Sequence, residues 1–301
     1  MNIRLMSILV VLCLCAVTAM GGLMVTEEDD FFAPNNSDHN YTQGMRFDVT
    51  SSTNSYWFFG QLMYTPDNIS NPYPQYGDHP WVGLLFGGYG RVWEFDNAIL
   101  KAETLIGVTG EPSMAGQTQA RVHAMIGNHQ PKGWTNQLGP DFVVNENFYC
   151  AKKVAGCYVG NFGAEAWVSS HAAVGLLYDS IGLGPEVRLG YNLPPAVPQP
   201  IYPTAQVQSH GKYSLYATFG MEPRYVLWNY FVSGSVIDKP DTHVDAIDFV
   251  TDTYFGVNAS AVVFGSEVSL GYKYVYRTRE FESQTDPVHF GSLYVSVGTH
   301  F

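Results

Sequence analysis

Gln119 and His123 stand four residues apart in QTQARVHAMIG, residues 117–127. That spacing puts both side chains on one face of a helix, with Val122, Met125 and Ile126 toward another. An imidazole beside an amide is equipped for hydrolysis, the ring moving a proton and the amide holding a carbonyl. The bland alternative is a packing histidine. A second group is TEEDDFF, residues 26–32, four acids ahead of an aromatic pair. It reads either as a solvated strand end or as a carboxylate site for Ca²⁺ or for orienting a histidine. The third is Asp38-His39-Asn40-Tyr41-Thr42-Gln43-Gly44. Alternation puts Thr42 on the face of Arg46 and Asp48, where it is either a simple β-former or a lumen-facing hydroxyl. There is no GxSxG, zincin or phosphate-loop motif, and GGYG and GLLFGG lack the following helix that a nucleotide site needs.

The rest of the chain must position these groups. Residues 1–20, MNIRLMSILVVLCLCAVTAM, pair a basic start at Arg4 with an apolar run and small residues at Val17 and Ala19. This is the pattern of an export signal, with cleavage expected near Ala19 or Met20. Cys13 and Cys15 would leave with it. Residues 21–301 then form one domain without an internal repeat. Cys150 and Cys157, in FYCAKKVAGCYVG, are expected to close a turn as a disulfide outside the cytoplasm. A metal pair is the rival, but no second pair completes a tetrahedral set.

Net charge is −12, or −13 once Arg4 is removed, which argues against a nucleic-acid partner. Charged residues make up 14% and Phe, Tyr and Trp 15%, so much of the surface faces something other than water. Beyond residue 20 no apolar run is long enough for a spanning helix. These features together predict an all-β outer-membrane barrel of antiparallel strands.

Period-two alternation supports it. Met45, Phe47 and Val49 oppose Gly44, Arg46 and Asp48, and Leu293, Val295 and Val297 oppose Ser292, Ser296 and Gly298. The chain closes on Phe301, the kind of terminal aromatic that barrel-insertion machinery reads. Strands are expected over 41–49, 213–219 and 291–301. Further runs fall at 24–32, 55–64, 81–92, 97–109, 141–150, 157–169, 172–192 (two strands), 222–234, 248–262 and 266–281. The number is about a dozen. Connections 51–54 and 93–96 are short and face the periplasm. Connections 65–80, 110–140 and the Pro-rich 193–212 are long and face outward. The histidine helix, with Pro112 near its start and Ser113 able to cap it, then lies at the outer rim.

In this order the segments resemble the outer-membrane lipid A 3'-O-deacylases and their relatives. The matching blocks are Glu28-Asp29-Asp30-Phe31-Phe32, Asp38 to Gly44, Gly60-Gln61-Leu62-Met63-Tyr64-Thr65-Pro66, Asp78-His79-Pro80-Trp81-Val82-Gly83 and Gly107 to Pro112. The strongest is Gln119-Ala120-Arg121-Val122-His123, followed by Gly127, Gly133-Trp134 and Gln137. The likeness is dense over 25–140 and thinner beyond. It implies a twelve-stranded barrel with a short helix in an outer connection. It also implies Ca²⁺-dependent hydrolysis of the ester holding the 3'-linked acyloxyacyl group on outer-leaflet lipid A. His123 matches the family's catalytic histidine, Asp30 its aspartate and Thr42 its strand threonine. Asp29, Asp30 and Glu28 are the candidate Ca²⁺ ligands. Asp29, Gln119, Trp134 and Gln137 position the substrate, with Trp134 and Gln137 shaping the rim against lipid chains. Two departures stand out: Asp29 occupies the position of the family's asparagine, and the 65–77 connection carries no lysine for a lipid phosphate. The alternatives are a phospholipase or other esterase using the same histidine, or a structural, porin-like barrel.

Overall fold

The computed structural model describes residues 22–33, 40–52, 54–194 and 212–299. The leader at 1–20, Asp38, His39, most of the Pro-rich stretch, His300 and Phe301 lie outside the described residues. Twelve strands, β1 (Gly22–Asp29), β2 (Asn40–Ser52), β3 (Ser55–Thr65), β4 (Val82–Phe95), β5 (Ala98–Thr109), β6 (Phe142–Val159), β7 (Phe162–Gly175), β8 (Tyr178–Tyr191), β9 (Tyr213–Asn229), β10 (Phe249–Val263), β11 (Ser266–Arg277) and β12 (Val288–Thr299), each pair with the next. β12 also pairs with β1, so the sheet closes on itself and leaves no edge. Closure is what lets strands cross a bilayer, because every backbone group then finds a partner within the wall.

β1 begins and β12 ends at one mouth of the barrel, which by the rule for such proteins is the periplasmic one. There the hairpins turn at 53–54, 96–97, 160–161 and 264–265. The connections 66–81, 110–141, 230–248 and 278–287 gather at the other mouth. They carry helix α1 (Ala115–Ile126) and a single helical turn, α2 (Tyr230–Ser233). The Pro-rich connection departs from expectation. The run 172–192 contains a tight turn at Leu176–Leu177, which sends β8 back down, so β8 ends and β9 begins at the periplasmic mouth. Two strand boundaries also move. β6 continues to Val159 before turning, and 213–219 and 222–234 belong largely to one strand, β9.

The disulfide expectation fails for the same reason. Cys150 and Cys157 are both free and exposed, and both lie within β6 rather than around a turn. Seven steps of extended chain separate them by roughly 20 Å, far beyond the ~7 Å that a bridge tolerates between Cα atoms.

The wall sorts residues as alternation requires. Trp57, Phe59, Leu183, Leu215, Phe219 and Val295 point outward and are exposed. The lumen is filled by charge networks and aromatic rings. Arg46 bonds Asp48 (2.7 Å) and Glu103 (2.6 Å), and Lys101 joins Glu103 (3.2 Å). Arg224 and Arg277 share Asp252 at 3.0 and 2.9 Å. Unpaired, such charges would be prohibitive in a buried interior; paired and hydrogen-bonded, they are tolerated. At the outer mouth Tyr64 stacks on Phe231 of α2 (4.4 Å) and on His79 (5.1 Å), and His79 meets Phe281 (5.9 Å). Three connections are thus knitted over the lumen.

Candidate active site

The register places the outward residues of five adjacent strands in rows. The upper row runs Gly291 (β12), Asp29 (β1), Gln43 (β2), Met63 (β3) and Gly83 (β4). The next row down is Leu293, Glu27, Met45, Gln61 and Leu85, and the third is Val295, Val25, Phe47, Phe59 and Gly87. The third row is what a lipid-facing wall should be, apolar apart from one glycine. The upper two mix in Asp29, Gln43, Glu27 and Gln61. Polar side chains on the outside of a barrel are costly against hydrocarbon, so this part of the wall faces something else.

The two glycines that end the upper row are docking notches. A Cβ on Gly83 would lie 2.2 Å from Ser113 Oγ and 2.5 Å from Ala115 Cβ, because the start of the helical connection sits there. A Cβ on Gly291 would lie 2.5 Å from Phe32 Cβ and 2.8 Å from its carbonyl oxygen. There the single 3-10 turn Asp30–Phe32 folds back over β12, and the Tyr272 hydroxyl donates to Phe32 O at 2.7 Å. The strip of wall between the notches, β1 to β3, hereafter the groove, is flanked by the turn on one side and the helix on the other.

Helix α1 packs on β3 and β4. Met63, Ile69, Trp81, Ala115 and Trp134 form the apolar cluster beneath it, and Gln61 Nε2 donates to Ser113 O at 2.6 Å to hold its start. Ser113 belongs to a separate 3-10 turn, Glu111–Ser113, and reaches the helix only through Ala115 N (3.3 Å), so its capping role is reduced. The buried stripe of the helix is Ala115, Gln119 and His123, whereas Met125 and Ile126 are exposed. Gln119 and His123 are thus turned inward, while Met125 and Ile126 face outward together with Gln117 and Arg121, a mixed apolar and basic face suited to a lipid surface.

His123 Nδ1 lies 2.5 Å from the carbonyl oxygen of His129. A carbonyl only accepts, so Nδ1 carries the proton and Nε2 is the basic nitrogen. Trp134 Nε1 donates to Gln119 Oε1 at 2.7 Å, which fixes the amide and leaves Gln119 Nε2, buried and without a partner, as a donor. Trp134 is buried against Trp81 (5.0 Å) and under Gly116 rather than lining the rim against lipid. Gln137 ends the short turn that follows it.

Thr42 is not in the lumen. A bulge between Tyr41 and Gln43 shifts the β2–β3 register, and such an insertion reverses the alternation locally. Tyr41 takes the inward place, donating to Glu28 Oε2 at 2.6 Å. Thr42 Oγ1 meets Thr65 Oγ1 at 2.8 Å, and Thr65 shares the outward face of Met63 and Gln61. The bulge thus moves the hydroxyl from lumen to groove, which strict alternation in the sequence could not reveal.

The acids split the same way. Glu28 points into the lumen toward Tyr41 and Lys273, opposite to Asp29, so it drops out of the candidate Ca²⁺ set. Asp29 Oδ1 accepts from Phe31 N at 2.7 Å, and Asp30 is buried in the turn. No three His, Cys, Asp or Glu side chains converge as a metal cage among the described residues. What remains are the two carboxylates Asp29 and Asp30 at the end of β1, oxygen donors of the type a hard cation prefers, with the Thr42–Thr65 hydroxyl pair on the neighbouring strands.

Comparison with known proteins follows this geometry. The solved structure of LpxR from Salmonella typhimurium superposes with a TM-score of 0.75 at 18% identity, covering 93% of this chain and all of that one. The β domain of the Bordetella autotransporter BrkA and the translocator domain of NalP from Neisseria meningitidis match more distantly. Their TM-scores are 0.45 and 0.41 at 12% and 11% identity, with coverage of 93% and 96% of this chain and 100% and 93% of theirs. No curated sequence matches. The family model described as outer membrane protein LpxR aligns with residues 5–299. This outer-membrane barrel of twelve strands, with its helix and turn docked on the outer wall, belongs to the LpxR family.

Proposed function

We propose that the protein is an outer-membrane hydrolase that removes an ester-linked acyl or acyloxyacyl chain from lipid A, with His123 as general base. The observation that carries this reading is the contact of His123 Nδ1 with the His129 carbonyl oxygen. A proton fixed on Nδ1 by the His129 carbonyl leaves Nε2 to take one from water. The attacked carbonyl becomes an oxyanion, and the donor held ready for it is Gln119 Nε2, its amide locked by Trp134. Collapse breaks the ester C–O bond, and His123 returns the proton to the leaving alkoxide. Thr42, paired with Thr65, positions the ester from the strand side. Asp29 and Asp30 are the side chains that would hold Ca²⁺; when bound, the ion supplies positive charge to the developing oxyanion.

The test is incubation of the folded barrel with lipid A, with Ca²⁺ or with chelator, read by mass spectrometry for loss of an acyl or acyloxyacyl mass. His123→Ala is expected to slow that loss on the order of a hundredfold or more, with the heat-modifiable gel shift of a folded barrel retained. Undiminished turnover in this variant would refute the assignment. Release of fatty acid from glycerophospholipids alone would move the substrate to another lipid class.

A further inference from the structure

Glu27 is not explained by the machinery above. It lies on β1 in the second outward row, flanked by Leu293 and Met45 and directly above the apolar row of Val25, Phe47 and Phe59. A carboxyl group there faces the bilayer side of the wall, where an acid weakens a barrel. Its Oε1 accepts a hydrogen bond from Gln43 Nε2, which reaches down from the row above. Its Oε2 is shielded from solvent and has no hydrogen-bond partner. A buried acceptor left open in this way costs free energy unless a ligand fills it.

We infer that Glu27, steadied by Gln43, is a binding residue of the groove whose open carboxyl oxygen takes a hydroxyl or amide N–H from the lipid seated there. The inference rests on the deacylase reading for the identity of the lipid. The position fits that role. Glu27 sits one row below Asp29 and Gln43 and one row above the hydrocarbon-facing side chains, at the level where a sugar-linked acyl group passes from polar to apolar surroundings. Amide-linked acyl chains and hydroxylated acyl chains both present such a donor next to the ester. A simple diacyl glycerophosphate presents neither in its acyl region, so the carboxyl group discriminates between lipid classes by leaving itself unsatisfied with the wrong one.

The experiment compares the wild-type full chain, Glu27→Leu and Glu27→Gln, each folded in detergent micelles. Native mass spectrometry measures binding of lipid A and of phosphatidic acid, steady-state kinetics give KM and kcat, and thermal loss of the heat-modifiable form gives stability. Glu27→Leu is expected to bind lipid A about tenfold to a hundredfold more weakly, the size of one charge-assisted hydrogen bond. The loss should fall on KM rather than kcat, with barrel stability unchanged or raised and phosphatidic acid binding unaffected. Glu27→Gln, which keeps an acceptor, is expected to stay closer to wild type. Unchanged lipid A affinity in Glu27→Leu, or a loss matched by a fall in barrel stability, would overturn the inference. If the wild type binds lipid A through Glu27 but hydrolyses none, the deacylase reading fails and the binding role stands. If it hydrolyses lipid A regardless of position 27, the reverse holds.

Discussion

At the scale of single residues, the proposed chemistry uses two side chains each held at one atom, Gln119 by Trp134 and His123 by the His129 carbonyl. Gln119→Ala is expected to lower kcat by roughly 10²–10³, the range for removing one oxyanion donor, with little change in KM. Trp134→Phe keeps the ring over Gly116 but releases the Gln119 amide, so its kcat should fall by a smaller factor, about tenfold. Single-turnover rates on the two variants check the order. The Gln119–His123 spacing was legible because one helical turn separates the residues whatever the helix packs on. Thr42 was not, because its side depends on which face of the wall the strand presents. A single inserted residue near Tyr41 reverses that for Thr42, while Glu28, two places before Asp30, follows strict alternation into the lumen.

At the scale of elements, the groove exists because two connections fold back on the outer wall at glycines. Gly83→Val would push Ser113 and Ala115 off β4, an overpacking worth about 1–3 kcal/mol locally. Turnover should drop at least as far as in Gln119→Ala, while the barrel still forms and migrates as a folded species. Alternation and composition displayed the barrel, the near-dozen strands and the helix. They could not place the Pro-rich connection, because the hairpin turn at Leu176–Leu177 is preceded by a single turn residue, Gly175, inside a run that otherwise reads as continuous strand. Nor could they tell that Cys150 and Cys157 share one long strand, since Lys152, Lys153 and Gly156 read as turn residues. Both thiols are expected to react with maleimide without prior reduction, counted as two added masses on the exported chain.

At the scale of the whole molecule, the lumen and the groove have separate duties. Charge networks and stacked rings fill the lumen, leaving a cavity of about 180 Å³ beneath Phe231 and Tyr64 rather than an open channel. Planar-bilayer recordings should therefore give no steady porin-like conductance. The rings over the outer mouth carry a pH dependence. Burial, the largest influence, holds the His79 imidazole below its ordinary range. Above about pH 6.5 both folded and unfolded states are neutral at this position. Below it the unfolded chain takes up the proton first, so stability falls as pH drops toward the lower folded value. Thermal melts between pH 7.5 and about 5 should decline for the wild type and flatten in His79→Phe, which keeps the stack on Tyr64. The groove, by contrast, lies on the outside of the wall. A lipid drawn from the surrounding leaflet arrives by lateral diffusion and never crosses water, so turnover should follow the mole fraction of substrate in the membrane plane. Diluting the vesicles in buffer would leave the rate per protein unchanged, whereas diluting the substrate with inert lipid would slow it.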